Sequence, residues 1–154
     1  MSDNIQSSPP INKQAISSQT KILIVDDSTQ FSMILKRLLT AVFGYTEITI
    51  FPTTAEALER ISASPEEFGL LFLDFHFPQG MNGAELLATL SEKQLLSGKI
   101  VFLMSSDPTA ETLQQVLKAG AAGVITKPFD RDELKRHLDR AVRMAGGGEE
   151  SFSV

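Results

Sequence analysis

The chain has no cysteine among its 154 residues. This absence excludes a disulfide framework, thiolate zinc ligation and cysteine catalysis, and it leaves oxygen ligands and two histidines for any site chemistry. No apolar run approaches the roughly 18 residues that a membrane span needs. The first 20 residues also lack the charged start and apolar stretch of a signal peptide. We therefore expect a cytoplasmic protein without membrane association.

Positive charge is in short supply, with 14 Lys and Arg residues against 19 Asp and Glu residues and a formal net charge of -5. Such a balance gives no broad attraction to phosphate backbones or anionic lipid, so we expect no nucleic-acid partner. A hydrophobic content of 42% over 154 residues allows one buried core. The length is too short for two domains of ordinary size.

Composition divides the chain into three parts. Residues 1–20 are rich in Ser, Gln and Asn, carry Pro9 and Pro10, and have no sustained apolar period, which predicts a disordered N-terminal arm. Near the other end, three consecutive glycines at 146–148 are followed by two glutamates, so we expect the last helix to end at about Ala145. The predicted folded domain covers residues 21–145, and residues 146–154 form a predicted flexible tail.

Short apolar runs rich in branched residues alternate with helical patterns, which is typical of parallel strands joined by crossover helices. The predicted strands are Ile22 to Val25, Glu47 to Phe51, Leu70 to Leu73, Ile100 to Met104 and Gly123 to Thr126. The size and the number of units favour an α/β fold of the flavodoxin-like, doubly wound type. We expect a five-stranded parallel sheet in the order 2-1-3-4-5 with five helices.

Helical spacing and capping signals place these helices. The predicted core face of the first helix consists of Phe31, Ile34, Leu35, Leu38, Leu39 and Val42, and Gly44 stands where a left-handed residue would end it. Predicted starts of later helices are Thr53 with Glu56, Asp107 before Pro108, and Asp130 with Glu133. The buried faces of the last two helices are predicted at Leu113, Val116 and Leu117, and at Leu134, Leu138, Ala141 and Val142.

Polar residues capable of catalysis or metal binding stand directly after four predicted strands, at the edge where such sheets bind ligands. They are Asp26 and Asp27, Asp74, Ser105 and Lys127. Three carboxylates brought together repel one another, so a site that keeps them ionised needs a compensating cation. Mg²⁺ fits, because it prefers octahedral oxygen coordination and is held by one or two carboxylates with phosphate oxygens. Taken singly, Asp26, Asp27, Ser105 and Lys127 are more simply explained as turn formers, helix caps or solvated polar groups. Asp74 differs, because an acid directly after an apolar run needs a partner or a place at the rim.

Four segments carry these residues in a recognisable order and spacing. They are Ile22-Leu-Ile-Val-Asp-Asp-Ser28, Leu71-Phe-Leu-Asp74 with Pro78, Met104-Ser105-Ser106 and Lys127-Pro128-Phe129. Together they resemble the receiver domain of two-component response regulators over about residues 20–145. The resemblance is to a stand-alone, chemotaxis-type regulator, which catalyses only its own phosphorylation and dephosphorylation.

The resemblance implies a role for each matching position. Asp74 would be the phosphoacceptor, Asp27 a direct Mg²⁺ ligand, and Asp26 an acidic partner that acts through water. The main-chain carbonyl of His76 would complete the protein ligands. Lys127 would pair with the phosphoryl group, and Ser105 would be the switch hydroxyl. A sensor histidine kinase or phosphotransfer protein would be the phosphoryl donor, and a second protein would be the downstream target.

The chain departs from the family pattern at several positions. Many receivers carry Tyr or Phe three residues before the lysine, where this chain has Val124, which puts the aromatic half of the usual switch in doubt. The run from Pro78 to Gly83 is one residue longer than the common pattern. His76 and Asp107 occupy positions that influence water access in this family, so the lifetime of the phosphorylated form is left open.

The last helix combines basic residues with interspersed acids. The basic residues are Arg131, Lys135, Arg136, Arg140 and Arg143, and the acids are Asp132, Glu133 and Asp139. A solvated helix with its own ion pairs is the simpler interpretation. In the resembling family, the surface of the fourth helix, fifth strand and fifth helix commonly meets partners, which makes this surface the expected docking face. Whether the partner there is a second copy of the chain stays open.

Three other functions compete with phosphorylation as an explanation of these residues. A haloacid dehalogenase-type enzyme would need Asp-x-Asp after its nucleophile strand, and neither Asp26-Asp27-Ser28 nor Asp74-Phe75-His76 has that spacing. A flavodoxin-like cofactor binder would need a phosphate-cradling loop after the first strand, where two acids stand instead. A pseudo-receiver, which binds partners without phosphorylation, is the alternative that Val124 keeps open.

Overall fold

The computed structural model describes the backbone of residues 19–153 and the side chains of residues 19–144. Within this part, five strands and five helices alternate along the chain. The strands are β1 (Lys21–Val25), β2 (Glu47–Phe51), β3 (Leu70–Asp74), β4 (Ile100–Ser105) and β5 (Gly123–Thr126). The helices are α1 (Thr29–Ala41), α2 (Thr54–Ala63), α3 (Gly83–Glu92), α4 (Ala110–Lys118) and α5 (Arg131–Ser153), and a short 3-10 helix covers Pro65–Glu67.

All five strands pair in parallel in the order β2-β1-β3-β4-β5. This confirms the predicted doubly wound sheet and its strand order. The register aligns Val25 with Leu73, Asp74 with Met104, and Ser105 with Thr126. Because parallel strands end at the same edge, the residues that follow β1, β3, β4 and β5 meet there.

Alternating strand residues form two separate cores, one on each face of the sheet. One core packs the side of β1, β3 and β4 that includes Leu23, Leu71 and Val101 against α2, α3 and α4. The other packs the side that includes Ile24, Phe72 and Phe102 against α1 and α5. The three central strands β1, β3 and β4 are almost entirely buried because helices cover both faces, which explains their nearly continuous apolar sequences.

Side-chain caps start the helices, and most lie where the sequence predicts them. Thr53 caps α2 by accepting the Glu56 N–H, and Asp130 and Glu133 form reciprocal bonds at the start of α5. The predicted start at Asp107 and Pro108 is wrong, because Thr109 caps α4 by accepting the Thr112 N–H. A threonine directly after the proline provides the hydroxyl that an N-cap needs, so the helix begins later.

The predicted apolar faces of α1 and α4 are only partly buried. Leu35 and Leu39 of α1 are fully buried, but Ile34 is 52% exposed and Val42 is also exposed. In α4, Val116 is buried, whereas its predicted core partners Leu113 and Leu117 are exposed. Each helix contacts the sheet through a narrow strip, so residues at the margin of an apolar stripe face the solvent. In α5, the predicted Leu134, Leu138 and Ala141 are buried, and Val142 is half-buried.

The last helix is longer than the sequence predicts. The predicted end of α5 at about Ala145 is wrong, because the helix continues through the three glycines to Ser153. Glycine disfavours a helix by about 1 kcal/mol relative to alanine but can adopt helical angles, unlike proline. Residues 1–18, which carry most of the predicted N-terminal arm, lie outside the described part. None of the helices described is long and apolar enough to cross a bilayer.

Candidate functional site

Asp26 and Asp27 follow β1 and differ sharply in exposure. The Asp26 N–H donates to the carbonyl of Phe51 at 3.1 Å, which extends the pairing with β2 and leaves the Asp26 side chain pointing inward, only 1% exposed. Its Oδ1 accepts the Ser28 N–H at 2.9 Å. Asp27 is exposed and lines an open cleft at the sheet edge. The pair therefore supplies one inner and one outer carboxylate.

Asp74 is the last residue of β3 and is only 4% exposed. Its Oδ2 accepts the His76 N–H at 3.2 Å, while the Phe75 N–H donates to the carbonyl of Met104 at 2.8 Å. These two bonds hold the backbone that follows the strand. The Asp74 carboxylate consequently has a defined orientation at the rim of the cleft.

The three carboxylates and one lysine form a compact charged group. Oxygens from Asp26, Asp27 and Asp74 all lie within 4.8 Å of one another. Lys127, at the end of β5, donates through Nζ to Asp26 Oδ2 at 2.9 Å and to Asp74 Oδ1 at 3.0 Å. The lysine side chain is 17% exposed, so its ammonium is shielded from much of the solvent. One cation thus bridges the two buried acids.

Burial and charge shift the pKa of two of these groups. The pKa of Asp74 is raised, because burial and the neighbouring Asp26 charge outweigh the hydrogen bonds and charge of Lys127. Burial lowers the pKa of Lys127, but the hydrogen bonds and charges of the two carboxylates outweigh it, so the net shift is upward. The lysine therefore stays protonated, whereas ionised Asp74 lacks full compensation.

The arrangement of the acids suits a hard divalent cation. Carboxylate oxygens within 4.8 Å of one another are close enough to share one ion, and Mg²⁺ prefers oxygen ligands of this kind. Asp27 and Asp74 border the cleft, whereas Asp26 is buried and does not line it, and its role as a partner through water stays a prediction. His76 is exposed and also borders the cleft. The role of its main-chain carbonyl as a ligand stays a prediction.

Ser105 lies beneath the site rather than at its surface. It is the last residue of β4 and is buried, and its Oγ accepts the Asp107 N–H at 3.1 Å. Its carbonyl accepts the Lys127 N–H at 2.8 Å, which ties the ends of β4 and β5 together. Ser106, not Ser105, lines the cleft of about 540 Å³. Ser105 thus contacts the loop after β4 through its hydroxyl and the backbone of Lys127 through its carbonyl.

The structure adds residues at the site that the sequence did not predict. Asn82 lines the cleft and caps α3, where it forms reciprocal hydrogen bonds of 2.8 Å with Glu85. The Asn-x-x-Glu spacing before an apolar run was the signal for this cap. Gly83 follows, and its N–H donates to the carbonyl of Phe75 at 2.9 Å. This bond brings the start of α3 directly against the end of β3.

One aromatic ring lies against Lys127. The Phe31 ring, at the start of α1, has its centroid 4.2 Å from Lys127 Nζ. Phe129 meets Phe31 edge to face with centroids 5.5 Å apart. Sequence reasoning assigned Phe31 to the core of α1, and only the packing of α1 beside β5 reveals its contact with the lysine.

Comparison with known proteins matches residues 22–139 to the family described as the response regulator receiver domain. The chain is 34% identical over 122 residues to the transcriptional regulatory protein CrdR of Helicobacter pylori, covering 79% of this chain and 54% of CrdR. It is 30% identical over 131 residues to the chemotaxis protein CheY of Pseudomonas aeruginosa, covering 82% of this chain and 99% of that protein. The chain thus spans about half the length of CrdR.

A solved structure gives the same fold at lower identity. The crystal structure of the CheX-CheY-BeF3-Mg complex from Borrelia burgdorferi matches with a TM-score of 0.73 and 22% identity, over 84% of this chain and 96% of that chain. At this identity the likeness concerns the fold alone. It agrees with the strand order and helix placement described above.

Proposed function

The chain belongs to the response regulator receiver family, and on that premise we propose that it acts as a single-domain response regulator in a phosphorelay. In this proposal, Asp74 accepts a phosphoryl group from a histidine kinase or phosphotransfer protein, with Mg²⁺ as cofactor. The phosphorylated form then changes which protein the domain binds. The domain modifies only itself and is not an enzyme acting on a free substrate.

One observation carries the proposal: the buried Asp74 carboxylate is held by Lys127 at the rim of an open cleft, within 4.8 Å of two further acids. A nucleophile needs a fixed orientation, and the bonds from Lys127 and the His76 N–H provide it. Phosphoryl transfer also needs positive charge near the phosphoryl oxygens. Lys127 already lies in contact with the acceptor and can pair with them.

The proposed transfer is an in-line displacement. A carboxylate oxygen of Asp74 forms a bond to phosphorus as the bond from phosphorus to the imidazole nitrogen of the donor breaks, and the imidazole leaves with the electron pair. Lys127 pairs with a phosphoryl oxygen during the transfer. Asp27, Asp74 and the His76 carbonyl would hold Mg²⁺, and Asp26 would act through water. Bound Mg²⁺ supplies further positive charge for the phosphoryl oxygens. Water later hydrolyses the acyl phosphate in the same site.

The proposed output passes through the end of β4. Once Asp74 carries a phosphoryl group, the Ser105 hydroxyl, whose oxygen accepts the Asp107 N–H in the structure, can donate its proton to a phosphoryl oxygen. That new bond would move the loop after β4 and bias α4 toward an arrangement that binds the target. Val124, which is half-buried where many receivers have an aromatic ring, leaves this movement without a rotating aromatic partner.

The proposed docking face consists of α4, β5 and α5. Leu113 and Leu117 lie one turn apart on α4 and are exposed, which offers an apolar strip for a protein partner. On α5, Lys135 and Asp139 pair at 2.7 Å, so part of the basic character of that helix is balanced within the helix itself. Whether a second copy of the chain binds there is part of the test. In this proposed function, the protein acts in the cytoplasm and binds neither nucleic acid nor a membrane.

The test is the mass of the intact protein after incubation with Mg²⁺ and a small acyl-phosphate donor. We expect one added phosphoryl group in the wild type and none in Asp74→Ala or after addition of a chelator. If modification continues at full extent in Asp74→Ala, the assignment of the acceptor is wrong. The matched Asp107→Ala variant, which lacks another acid at a strand end, should still be modified.

The alternative is a pseudo-receiver that binds partners without phosphorylation. Val124 is the observation that favours it, because the aromatic half of the usual switch is missing. A kinase-independent partner that binds wild type and Asp74→Ala equally would support this function. Preference of the partner for the phosphorylated form would exclude it.

A further inference from the structure

Phe31 and Lys127 form a contact between the start of α1 and the end of β5. The ring centroid lies 4.2 Å from Nζ, within the range of an attractive interaction between a cation and an aromatic face. Phe31 is half-buried, and Phe129 supports it edge to face at 5.5 Å. Phe129 thus supports the ring, while Lys127 Nζ reaches Asp26 and Asp74.

The contact completes a closed series of interactions that begins and ends at Asp26. Asp26 Oδ1 accepts the Ser28 N–H at 2.9 Å, and Ser28 Oγ accepts the Phe31 N–H at 3.2 Å. The Phe31 ring then lies over Lys127 Nζ, and Nζ returns to Asp26 Oδ2 at 2.9 Å. The first turn of α1 and the lysine are therefore positioned by one another through four direct contacts.

We propose that Phe31 is a positioning residue, which acts through Lys127 to hold its ammonium group beside Asp74 for phosphoryl transfer. This inference rests on the phosphorylation proposed above. Lysine has a flexible stem with four carbons, and each of its orientations that points away from the acceptor lowers the rate. The negative face of an aromatic ring attracts the ammonium, whereas an aliphatic side chain of similar size would only fill the space.

The ring matters most during the transfer itself. Asp26 and Asp74 are the partners of Lys127 in the structure described here, and both belong to the proposed cation site. When these carboxylates share their charge with a metal ion, their hold on the lysine weakens, and the lysine must shift from them to a phosphoryl oxygen. Phe31 is neutral and carries no ligand atom, so its attraction for the ammonium persists in that state.

The experiment replaces Phe31 by mono-, di- and trifluorinated phenylalanine, which keep the shape of the ring while weakening its negative face. The maximal rate of phosphorylation by a small acyl-phosphate donor with Mg²⁺ is measured against donor concentration. We expect the maximal rate to fall stepwise with fluorination, and by about three- to tenfold in Phe31→Leu, with little change in half-saturation by the donor. Phe31→Tyr, which keeps the aromatic face, should restore most of the rate.

Phe68 provides a matched control. Its ring centroid lies 4.7 Å from Lys99 Nζ, and this pair is not part of the charged site. Fluorination of Phe68 should leave the phosphorylation rate unchanged. Equal maximal rates across the Phe31 series in a protein that does accept phosphate would overturn the inference, as would an equal loss in the Phe68 series.

A second measurement separates this inference from the proposed function. NMR relaxation of the Lys127 side chain in the unmodified protein should show greater mobility in Phe31→Leu than in the wild type. Failure of the wild type to accept phosphate would refute the proposed function. In that case, equal mobility of Lys127 in both proteins would overturn the positioning role independently.

Discussion

Gly83, the first residue of α3, lies so close to Asp74 that a Cβ atom at position 83 would overlap the backbone carbonyl oxygen of Asp74. The same Cβ would lie 2.9 Å from the Cα of Phe75. Both neighbours are backbone atoms, which cannot rotate away as a flexible side chain would. The absence of a side chain at Gly83 is therefore a condition for the position of Asp74.

We expect Gly83→Ala to lower the free energy of unfolding by at least about 1–3 kcal/mol and to slow phosphorylation, because the overlap must displace α3 or the acceptor. Gly80→Ala in the same loop is the control. It has a positive φ of 75°, but its nearest neighbour would be Thr54 Oγ1 at 3.8 Å, so we expect a loss of about 1–2 kcal/mol and little effect on phosphorylation. Urea denaturation and phosphorylation assays compare the two. Equal effects on phosphorylation would contradict this account.

The ionisation of Asp74 should destabilise the fold. The pKa of Asp74 is raised from its usual 3.8, mainly by burial and then by the charge of Asp26. The folded protein thus binds this proton more tightly than the unfolded chain does. The contribution of this proton to the free energy of unfolding is present below pH 3.8, and it is lost as the pH rises through the raised pKa of Asp74 in the folded protein. At neutral pH, the ionised Asp74 carboxylate consequently lowers the free energy of unfolding.

Asp74→Asn cannot ionise, and we expect it to be more stable than the wild type at neutral pH by about 0.5–2 kcal/mol, the usual range for a single stabilising substitution. The difference should shrink under acidic conditions in which Asp74 is protonated in both states. Urea unfolding over a pH series measures it. Asp107→Asn, at an exposed acid, should give no comparable gain. A constant difference at all pH values would disprove the electrostatic origin.

Mg²⁺ should stabilise the folded protein. Binding at a concentration one hundred times the dissociation constant adds about 2.7 kcal/mol to the free energy of unfolding, which a thermal melt detects. Asp27→Asn should abolish most of this gain while changing the metal-free stability by less than about 0.5 kcal/mol, because Asp27 is exposed. If Na⁺ at matched ionic strength gives the same gain, the effect is screening of the acids rather than binding at a site.

Lys127 should have opposite effects on metal binding and on phosphoryl transfer. Its ammonium occupies oxygens of both Asp26 and Asp74, so it competes with a cation for the same charge. We expect Lys127→Met to tighten Mg²⁺ binding roughly tenfold, equivalent to about 1.4 kcal/mol of removed repulsion, and to slow phosphorylation strongly. Titration calorimetry and the mass assay measure the two effects. Weaker Mg²⁺ binding in Lys127→Met would contradict the competition.

Two neighbouring residues of α1 should differ widely in their contribution to stability. Leu35 is fully buried, and we expect Leu35→Ala to lower the free energy of unfolding by about 2–5 kcal/mol. Ile34 is 52% exposed, and Ile34→Ala should change it by less than about 0.5 kcal/mol. Urea denaturation measures both. Similar losses would mean that Ile34 belongs to the core, as the sequence pattern alone predicts.

Sequence patterns predicted the strands well, because a strand covered on both faces is apolar along its length. The predicted strands β2 and β5 have the observed bounds, and β1, β3 and β4 each extend one residue further. The acids and the lysine fell at the correct edge because each follows such a run. Gly44 was also placed correctly, with a φ of 80° at the end of α1.

Most features that the sequence did not predict depend on how helices and strands pack against one another. Periodicity identifies an apolar stripe on a helix but not how much of it a neighbour covers, which is why Ile34 and Leu117 proved exposed. The contact of Phe31 with Lys127 joins residues far apart in the chain, and no local pattern predicts it. The Thr109 cap was missed because Asp107 offered a competing cap beside a proline.

The bridge from Lys127 to Asp26 joins residues 101 positions apart, and that to Asp74 joins residues 53 positions apart. Contacts of such long sequence separation form late in folding, because each must first overcome the entropy of closing a long loop. A chain in which β1 has paired with β3 but β5 has not docked would hold its acids together without their lysine. Docking of β5 therefore relieves a repulsion as well as completing the sheet, and the proposed phosphorylation of Asp74 requires that β5 has docked.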